Sequence, residues 1–515
     1  MPHPRPPSAL ADLRRLRSPA TNALFASGGE LYGDAVFGRD SVEAAEDVLH
    51  LLPEVAHDVI LGLSRLQGVV DADPGLDSNE EERGKIHHEH RSLYVEGRRI
   101  SPTSQRLLEE LSAHWGGDGT SVTYYGSADA TPLYARLIAR FCARHGPALL
   151  DEGLIRKDGR ATTVRDCLLA ALGWICRRMD ASPLGLVEFQ RRNPNGLPFQ
   201  VWKDSGTSYL HRDGRIANCD APIAALEVQG YAYDALVGAA RLLGADRPGP
   251  AGEWRERALA LRDALLERCW MPADRYFAMG LDRDAAGAPR PITSIASNGA
   301  LLMDTELLDG LPEADACIEG VVRCVCGPGF LTDAGVRCRS LAEVGLMDFQ
   351  DYHGSWAVWP KETFDVVKGL HRQGLHGLAR QVGVRLLNAV NVSGANVELL
   401  YVSPDGRVHY DFADRDPLSA APAEIAATTV PEAPQAWTVT AALALKWFGR
   451  WPAGAAVTPA RAALDAEVLR EVPEARALCT SAELGAAYER RGDFVLNRAL
   501  ASERDRAARA GRRTA

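Results

Sequence analysis

The chain has 515 residues, of which 46% are hydrophobic and 24% charged. This composition excludes a wholly disordered protein, and the length allows either two or three ordinary domains or one large closed architecture. The net charge of −10 argues against an extended nucleic-acid groove and against binding to an anionic membrane surface.

Residues 1–20 are rich in Pro and Arg and are predicted to be a tail. They contain no apolar stretch of signal-peptide length, and no apolar run in the chain reaches the ~20 residues that span a bilayer. The ten cysteines are scattered, which indicates reduced thiols. Cys324, Cys326 and Cys338 lack the usual CxxC spacing of a zinc site, and we interpret them as buried thiols. We therefore expect a cytoplasmic protein.

Apolar residues recur at helical rather than strand spacing through most of the chain. One helix is predicted from Pro132, behind a Thr131 N-cap, and ends at Gly146. Six helices of this kind are predicted, and they follow Asp40, Asp129, Asp220, Ser297, Trp359 and Gln435. Each is followed by an amphipathic partner, as in 162–179, 253–269 and 377–390. Six inner and six outer helices result, although a bundle or a solenoid gives a similar count.

Shorter β-branched and aromatic pieces occur in 270–295 and 395–430, where we expect hairpins or extended loops. The loops that precede the predicted inner helices are rich in aromatic, acidic and glycine residues. If the inner helices run in one direction around a barrel, these loops share a rim and their side chains face one cavity. Aromatic rings beside carboxylates suit a sugar, which has apolar C–H faces and many hydroxyls.

Five motifs resemble, in order, the catalytic domain of glycogen-debranching enzymes (amylo-α-1,6-glucosidases), which are inverting α-glycosidases on an (α/α)6 barrel. The motifs are YYGSADATP at 124–132, VWKDSGTS at 201–208, APIAALEVQGYAYDA at 221–235, YHGSWAVWP at 352–360 and PQAWT at 434–438. The resemblance implies an all-α barrel over 21–455, with short hairpin or loop insertions at the active-site rim, and C-terminal helices with a basic tail over 456–515.

The resemblance also implies site residues. Asp204 occupies the general-acid position and Glu398 the general-base position, while Arg39 and Asp40 resemble the pair that grips the nonreducing-end sugar. The family's Pro-Glu-Leu-Phe around the base is Val-Glu-Leu-Leu here, so the expected substrate is an α-linked oligosaccharide or a smaller glucoside rather than glycogen. An inverting glycosidase needs two carboxyl groups ~6.5–9.5 Å apart, one protonated and one ionised. Sequence neighbours alone do not decide which of the two is the acid.

Further carboxylates each have two interpretations. Glu227, in an apolar helical run, either forms a structural pair or binds sugar hydroxyls. Asp129 is either an anion at a helix N-terminus or a sugar ligand. Glu432, in a Pro-rich loop, is expected to be solvated. Lys203 either donates to a sugar or pairs with a rim carboxylate. The remaining substrate-binding candidates are Tyr125, Trp202, Gln229, His353, Trp356, Trp359, Gln435 and Trp437.

Two other functional classes stay open. One is a sugar epimerase or polysaccharide lyase on the same barrel, which needs a His or Tyr base such as His353. The other is a catalytically inactive carbohydrate-binding protein. We expect no cofactor, because the glycine clusters lack the strand–turn–helix surroundings of a nucleotide loop. The histidines of 87–91 are expected on a rim or surface loop and not at a metal.

Overall fold

The structure is a computed structural model that describes residues 8–18, 21–29, 31–343, 352–402, 406, 408–409, 431–448, 451 and 457–473. Within these residues, no helix combines the length and apolar character needed to cross a membrane. The nine cysteines in these ranges form no disulfide with one another.

Helices dominate the described chain. In chain order they are α1 (Ala9–Leu16), α2 (Gly38–Asp47), α3 (Pro53–Leu66), α4 (Pro102–Trp115), α5 (Ala130–His145), α6 (Val164–Ala181), α7 (Leu226–Leu243), α8 (Pro248–Cys269), α9 (Asn298–Leu301), α10 (Ala314–Val325), α11 (Pro360–Arg372), α12 (His376–Ser393), α13 (Ala436–Lys446) and α14 (Pro459–Glu471). Short 3-10 turns cover Pro147–Asp151, Leu302–Asp304 and Leu341–Glu343.

An inner set of helices alternates with an outer set along the chain. The inner set is α2, α5, α7, α9, α11 and α13, and each contacts the next, while α13 also contacts α2. All residues of α2 and α9 are buried, which an outer helix with one wet face does not permit. The outer helices α3, α6, α8, α10 and α12 each pack on the inner helix that precedes them, and α14 packs on α10 and α12.

The predicted helices are found, with some differences in their starts and lengths; α2, for example, starts at Gly38, before the predicted position after Asp40. Helix α5 ends before Gly146 as expected, but its N-cap is Asp129. The prediction of a Thr131 cap is wrong, because Thr131 lies inside the helix and its hydroxyl accepts from the amide of Ile86 at 2.9 Å. Helix α7 starts several residues later than predicted, since the chain first forms a strand. The helix after Ser297 has only four residues before it tightens into a 3-10 turn.

Short antiparallel strands connect the helices. They are β1 (Arg17–Ser18), β2 (Ala23–Leu24), β3 (Val36–Phe37), β4 (Glu89–Ser92), β5 (Tyr94–Val95), β6 (Arg98–Arg99), β7 (Ser121–Tyr124), β8 (Gly153–Ile155), β9 (Ala161–Thr163), β10 (Ala224–Ala225), β11 (Trp270–Met271), β12 (Tyr276–Phe277), β13 (Gly280–Arg283), β14 (Pro289–Pro291), β15 (Leu331–Thr332), β16 (Gly335–Val336), β17 (Ala357–Val358), β18 (Leu400–Val402) and β19 (Val408–His409).

Three three-stranded sheets lie at the starts of inner helices. Their orders are β3-β4-β7, β10-β13-β14 and β17-β18-β19. Strands β3 and β10 run directly into α2 and α7, and β17 is one residue from α11. The hairpins expected in 270–295 are present, and β18 pairs with β19 as expected in 395–430; residues 410–430 lie outside the described part. These sheets hold the loops before the inner helices at one end of the molecule.

An aromatic cluster separate from the main core lies at this end. Tyr352 packs against it. Its members come from the loops before α7 and α11, from α9 and α13 themselves, and from the segment around β18. They are Trp202, Leu301, Cys338, Trp356, Ala357, Trp359, Leu399, Tyr401 and Trp437.

Candidate active site

Arg39, in the first turn of α2, joins two carboxylates. Its Nη1 donates to Asp129 Oδ2 at 2.9 Å, and its Nη2 lies 3.4 Å from Asp204 Oδ2. Ser127 donates to the other oxygen of Asp129 at 2.6 Å. Asp129 makes no side-chain cap bond to α5, so its carboxylate serves Arg39 rather than the helix end. Asp204 keeps a quarter of its side-chain surface exposed (25%), whereas Arg39 is 5% exposed.

Glu398 lies deeper and is held from both sides. It is 3% exposed. The hydroxyl of Tyr352 donates to its Oε1, and the amide of Glu432 donates to its Oε2 at 3.1 Å. The amide of Glu398 in turn donates to the carbonyl of Glu432 at 2.8 Å. Both carboxylate oxygens therefore have a fixed direction.

Asp204 and Glu398 border one shared neighbourhood. Burial raises the pKa of Tyr32, and the charges of Glu398 and Asp204 raise it further. On the other side, Ser205 lies 2.9 Å from His353 Nδ1, and the ring of His353 is 4.9 Å from that of Tyr352. The two acidic side chains, far apart in sequence, are thus linked through a few intervening groups.

The aromatic cluster lies beside these two carboxylates. The rings of Trp202 and Trp359 meet edge to face at 4.9 Å, and each lies 5.6 Å from Trp437. His353 stacks on Trp359 at 5.2 Å with an interplanar angle of 13°. Lys361 lies over the Trp202 ring at 4.4 Å. Edge-to-face packing fixes these rings against one another.

Several buried polar atoms beside the carboxylates have no hydrogen-bond partner among the described residues. They are the indole N–H groups of Trp202 and Trp437, Oε1 of Gln435, and Nε of Arg39 and Oδ1 of Asp40, which form an ion pair with each other at 3.8 Å. A buried polar group without a partner costs free energy, so such groups are normally satisfied. Donors and acceptors mixed in this way match a ligand that carries several hydroxyls, since a hydroxyl both donates and accepts.

Burial raises the pKa of three carboxyl groups here. It raises the pKa of Asp204 to about 6, although Arg39 opposes the shift, and that of Asp40 to about 7. It raises the pKa of Glu398 to about 8, although the bonds from Tyr352 and Glu432 oppose it. The pKa of Asp204 is thus lower than that of Glu398, whereas a general acid at Asp204 and a general base at Glu398 would favour a higher pKa at Asp204. In the ligand-free site, the form with Asp204 protonated and Glu398 ionised is therefore a minor one.

Some predicted site residues have protein partners instead. Lys203 is fully buried and bonds Glu362 Oε1 at 2.5 Å, in the first turn of α11, so of its two interpretations the structure shows the pair with a carboxylate. Glu227 accepts from Tyr209 at 2.8 Å and from Asn298 at 2.9 Å, which is the structural interpretation.

Two further predicted binding residues bond mainly to the main chain. Gln229 exchanges bonds of 2.9 and 2.8 Å with the amide and carbonyl of Val187. Tyr125 donates to the carbonyl of Leu66 at 2.6 Å and accepts from Lys157 at 2.8 Å. The polar side-chain atoms of Gln229 and Tyr125 are therefore not among the buried atoms without a hydrogen-bond partner.

Two expectations about exposure are wrong. Glu432 is buried, not solvated, because its carboxylate accepts from Ser27 and from main-chain amides. For the histidine-rich segment 87–91, expected on a rim or surface loop, the surface loop is wrong: His87 and His88 are buried, and β4 lies between β3 and β7 in the sheet before α2. Within the described residues, no group of three His, Cys, Asp or Glu side chains is arranged to hold a metal ion.

Sequence reasoning missed Tyr32 and did not single out Tyr352. Tyr352 opens the YHGSW motif, so its position was available. Tyr32 lies in a loop with no helical or strand pattern, and its neighbours Tyr352, Glu398 and Glu432 are hundreds of residues away. No local signal marks it.

Comparison with known proteins identifies solved structures that share the overall fold of this chain. No family model and no curated protein matches the sequence. Among solved structures, the GH63 mannosylglycerate hydrolase from Thermus thermophilus matches in complexes with Tris, with glucose, and with Tris and D-glycerate, at TM-scores of 0.54, 0.53 and 0.52. The chain has the fold of this hydrolase. The identities are 16%, 16% and 15%, and each match covers 85% of this chain and 98% of the other.

Proposed function

We propose that the chain is an inverting, exo-acting α-glycosidase built on an (α/α)6 barrel. The observation that carries this proposal is the series of contacts from Ser205, next to Asp204, through His353 and Tyr352 to Glu398, beside one aromatic cluster. The successive contacts of the inner helices, from α2 round to α13 and back to α2, support the barrel. The likeness to a GH63 hydrolase supports the same fold.

Asp204 is the proposed general acid and Glu398 the proposed general base. Asp204 is partly exposed, so a leaving oxygen can reach its carboxyl proton. Glu398 is buried, and its two oxygens are oriented by Tyr352 and the Glu432 amide, as required for a carboxylate that takes a proton from one defined water. Protonation on one face of the sugar and water attack on the other give inversion.

The groups around the two carboxylates are proposed to bind the sugar. Arg39 and Asp40 supply a donor and an acceptor on the α2 side, with Asp129 holding Arg39 in place. The ring faces and edges of the aromatic cluster, together with His353, are proposed to contact its apolar C–H surface. Within the cluster, Trp356, Trp359 and Trp437 are proposed sugar-binding residues, and Gln435, next to Trp437 in sequence, is a further one.

The proposed substrate is an α-linked oligosaccharide or a small glucoside. The GH63 structures bear the name mannosylglycerate hydrolase, and two of them hold glucose or D-glycerate. A test panel therefore contains α-linked glucose disaccharides, glucosides of small alcohols, and mannosylglycerate. NMR during the first turnovers reports the anomer released: a β-anomer from an α-linked substrate supports inversion, and an α-anomer contradicts it.

Substitution of the two carboxylates tests their roles. We expect Asp204→Asn and Glu398→Gln each to lower turnover by about 10²–10⁴ while the fold is retained, because each removes proton transfer rather than packing. Circular dichroism and thermal denaturation verify the fold. Unchanged hydrolysis in both variants contradicts the assignment.

Asp204→Asn, compared with His353→Ala, and a binding measurement separate the other two functional classes. For an epimerase or lyase that uses His353 as base, His353→Ala abolishes activity while Asp204→Asn retains it. For an inactive binding protein, calorimetry detects sugar binding but no product forms in a long incubation. The contact of His353 Nδ1 with Ser205, next to Asp204, instead suits a residue that orients the loop of the general acid.

A further inference from the structure

The carboxylate of Glu432 organises the loop that carries Tyr32. Its Oε2 accepts from the hydroxyl of Ser27 at 2.6 Å and from the amide of Tyr32 at 2.9 Å, and its Oε1 accepts from the amide of Leu31. The loop packs closely around this carboxylate: a Cβ atom at Gly29 would lie only 2.5 Å from the carboxyl carbon of Glu432. Three donors from one short segment thus converge on one buried side chain.

The main chain of Glu432 holds Glu398 at the same time. Its amide donates to Glu398 Oε2 at 3.1 Å, and its carbonyl accepts from the amide of Glu398 at 2.8 Å. A displacement of Glu432 therefore moves the carboxylate that we assign as the general base. The side chain and the backbone of one residue connect two parts of the site.

Tyr32 links the same loop to the surroundings of Glu398 and to the start of α2. Burial and then the charges of Glu398 and Asp204 raise the pKa of Tyr32, whereas its interaction with Tyr352, which itself donates to Glu398, lowers it. Its ring meets Phe37 edge to face at 5.7 Å, immediately before α2. The loop, the base and the start of α2 are thus joined through Glu432 and Tyr32.

We propose that Glu432 is a positioning residue that couples the Tyr32 loop to Glu398 and so holds the base in its reactive orientation; this inference rests on the proposed glycosidase function. Misplacement of a reacting group by about 1 Å costs on the order of 10²-fold in rate. Glu432 touches no reacting atom in this scheme and acts through Glu398.

The charge of Glu432 also acts on the base. Besides burial, the groups that shift the pKa of Glu398 are Tyr352 and the Glu432 amide, which lower it, and the charges of Glu432 and Asp40, which raise it. Tyr32 faces it from the loop. Removal of the Glu432 charge therefore moves the pKa of Glu398 downward. This shift reports the charge of Glu432, whereas the loss of kcat with a smaller change in KM reports its positioning of the base.

The test compares Glu432→Gln with Glu81→Gln. Glu81 is a buried glutamate that accepts from the amides of Val69 and Val70, at 2.6 and 3.2 Å, and pairs with Lys157 at 2.6 Å, but it belongs to no part of the proposed site. In Glu432→Gln, an amide NH₂ faces donors where a carboxylate oxygen accepted. Hydrogen exchange of the segment 27–32, kcat, KM, and the pH profile of kcat/KM are measured for both variants on the wild-type protein's best substrate.

We expect Glu432→Gln to speed amide exchange at Leu31 and Tyr32 at least about tenfold and to lower kcat about 10–100-fold with a smaller change in KM. The limb of the pH profile that belongs to Glu398 moves to lower pH. Glu81→Gln changes none of these. Wild-type kcat and an unmoved limb in Glu432→Gln overturn the proposal.

Ser27→Ala covers the case in which Glu432→Gln does not fold. It removes one donor and keeps the charge, so we expect faster exchange at Tyr32 and a lower kcat with the limb in place. Wild-type exchange and kcat in Ser27→Ala then overturn the proposal. Loss of the glycosidase assignment is a different result, because it appears as absent hydrolysis in the wild type, whereas exchange at 27–32 still reports whether Glu432 holds the loop.

Discussion

Removal of one phenolic hydroxyl from the proposed base is expected to change both the rate and its pH dependence. Tyr352→Phe deletes the donor to Glu398 Oε1 and leaves a ring of the same shape, which keeps its edge-to-face contact with Trp359 at 4.8 Å. A hydrogen bond to a charged group contributes about 1.5–3 kcal/mol, and one pKa unit corresponds to about 1.4 kcal/mol. The pKa of Glu398, about 8 in the wild type, therefore rises by about one to two units.

The direction of the rate change follows from the order of the two pKa values. With Asp204 at about 6 and Glu398 at about 8, the reactive form of the free site makes up roughly one part in a hundred between these pH values. Each unit added to the Glu398 pKa lowers this fraction about tenfold. We expect kcat/KM of Tyr352→Phe to fall about 10–100-fold on the plateau, and the alkaline limb to move up by one to two pH units.

Hydrolysis rates at low substrate concentration from about pH 5 to pH 10 give kcat/KM directly. Tyr134→Phe is the matched control, since it removes a buried phenol that bonds Ser64, outside the proposed site. The control is expected to keep the wild-type limbs. A Tyr352→Phe enzyme with the wild-type rate and alkaline limb would refute the reasoning, because Tyr352 would then not stabilise the ionised form of Glu398.

Three further variants test other parts of the structure. Asp204→Asn is expected to lose the limb near pH 6 from its residual kcat/KM profile, and its residual rate is expected to rise with pH through about 8 and then level off, because only the ionised form of Glu398 is then required; a retained limb near pH 6 points to another group. Lys203→Met leaves Glu362 charged and buried without its cation, and we expect a loss of about 3–5 kcal/mol in the free energy of unfolding by denaturant titration. Gly280→Ala places a Cβ 2.2 Å from the carbonyl oxygen of Ala224 at a φ of 150°, and we expect roughly 1–3 kcal/mol of destabilisation by thermal unfolding, whereas Gly249→Ala, with open space around it, is expected to be close to neutral.

Helices and their order were predictable from the sequence because their period is local. The starts of α5, α11 and α13 lie within a residue or two of the predicted positions, since a polar residue or Pro marks each of them. Helix α7 begins late because Ala224 and Ala225 pair with β13, a partner more than fifty residues away that no window detects.

The partners of buried charges were not predictable for the same reason. Lys203 is adjacent to Asp204 in sequence, yet its amine is directed to Glu362 on α11, while Asp204 is directed to Arg39 on α2. Glu432 lies among prolines, a composition typical of a solvated loop, yet the amides of residues 31 and 32 enclose it. Local composition indicates exposure only where no distant segment covers the residue.

Substrate binding is expected to bring the two pKa values toward the order that catalysis needs. Asp204 keeps a quarter of its side-chain surface exposed, whereas Glu398 is almost wholly buried, so a sugar that fills the site removes far more water from Asp204. Because burial favours the neutral carboxyl, the pKa of Asp204 rises on binding while that of Glu398 changes little. The profile of kcat reports the complex and that of kcat/KM the free enzyme. The acid limb of kcat is therefore expected at higher pH than the acid limb of kcat/KM, and coincident limbs would mean that the sugar does not cover Asp204.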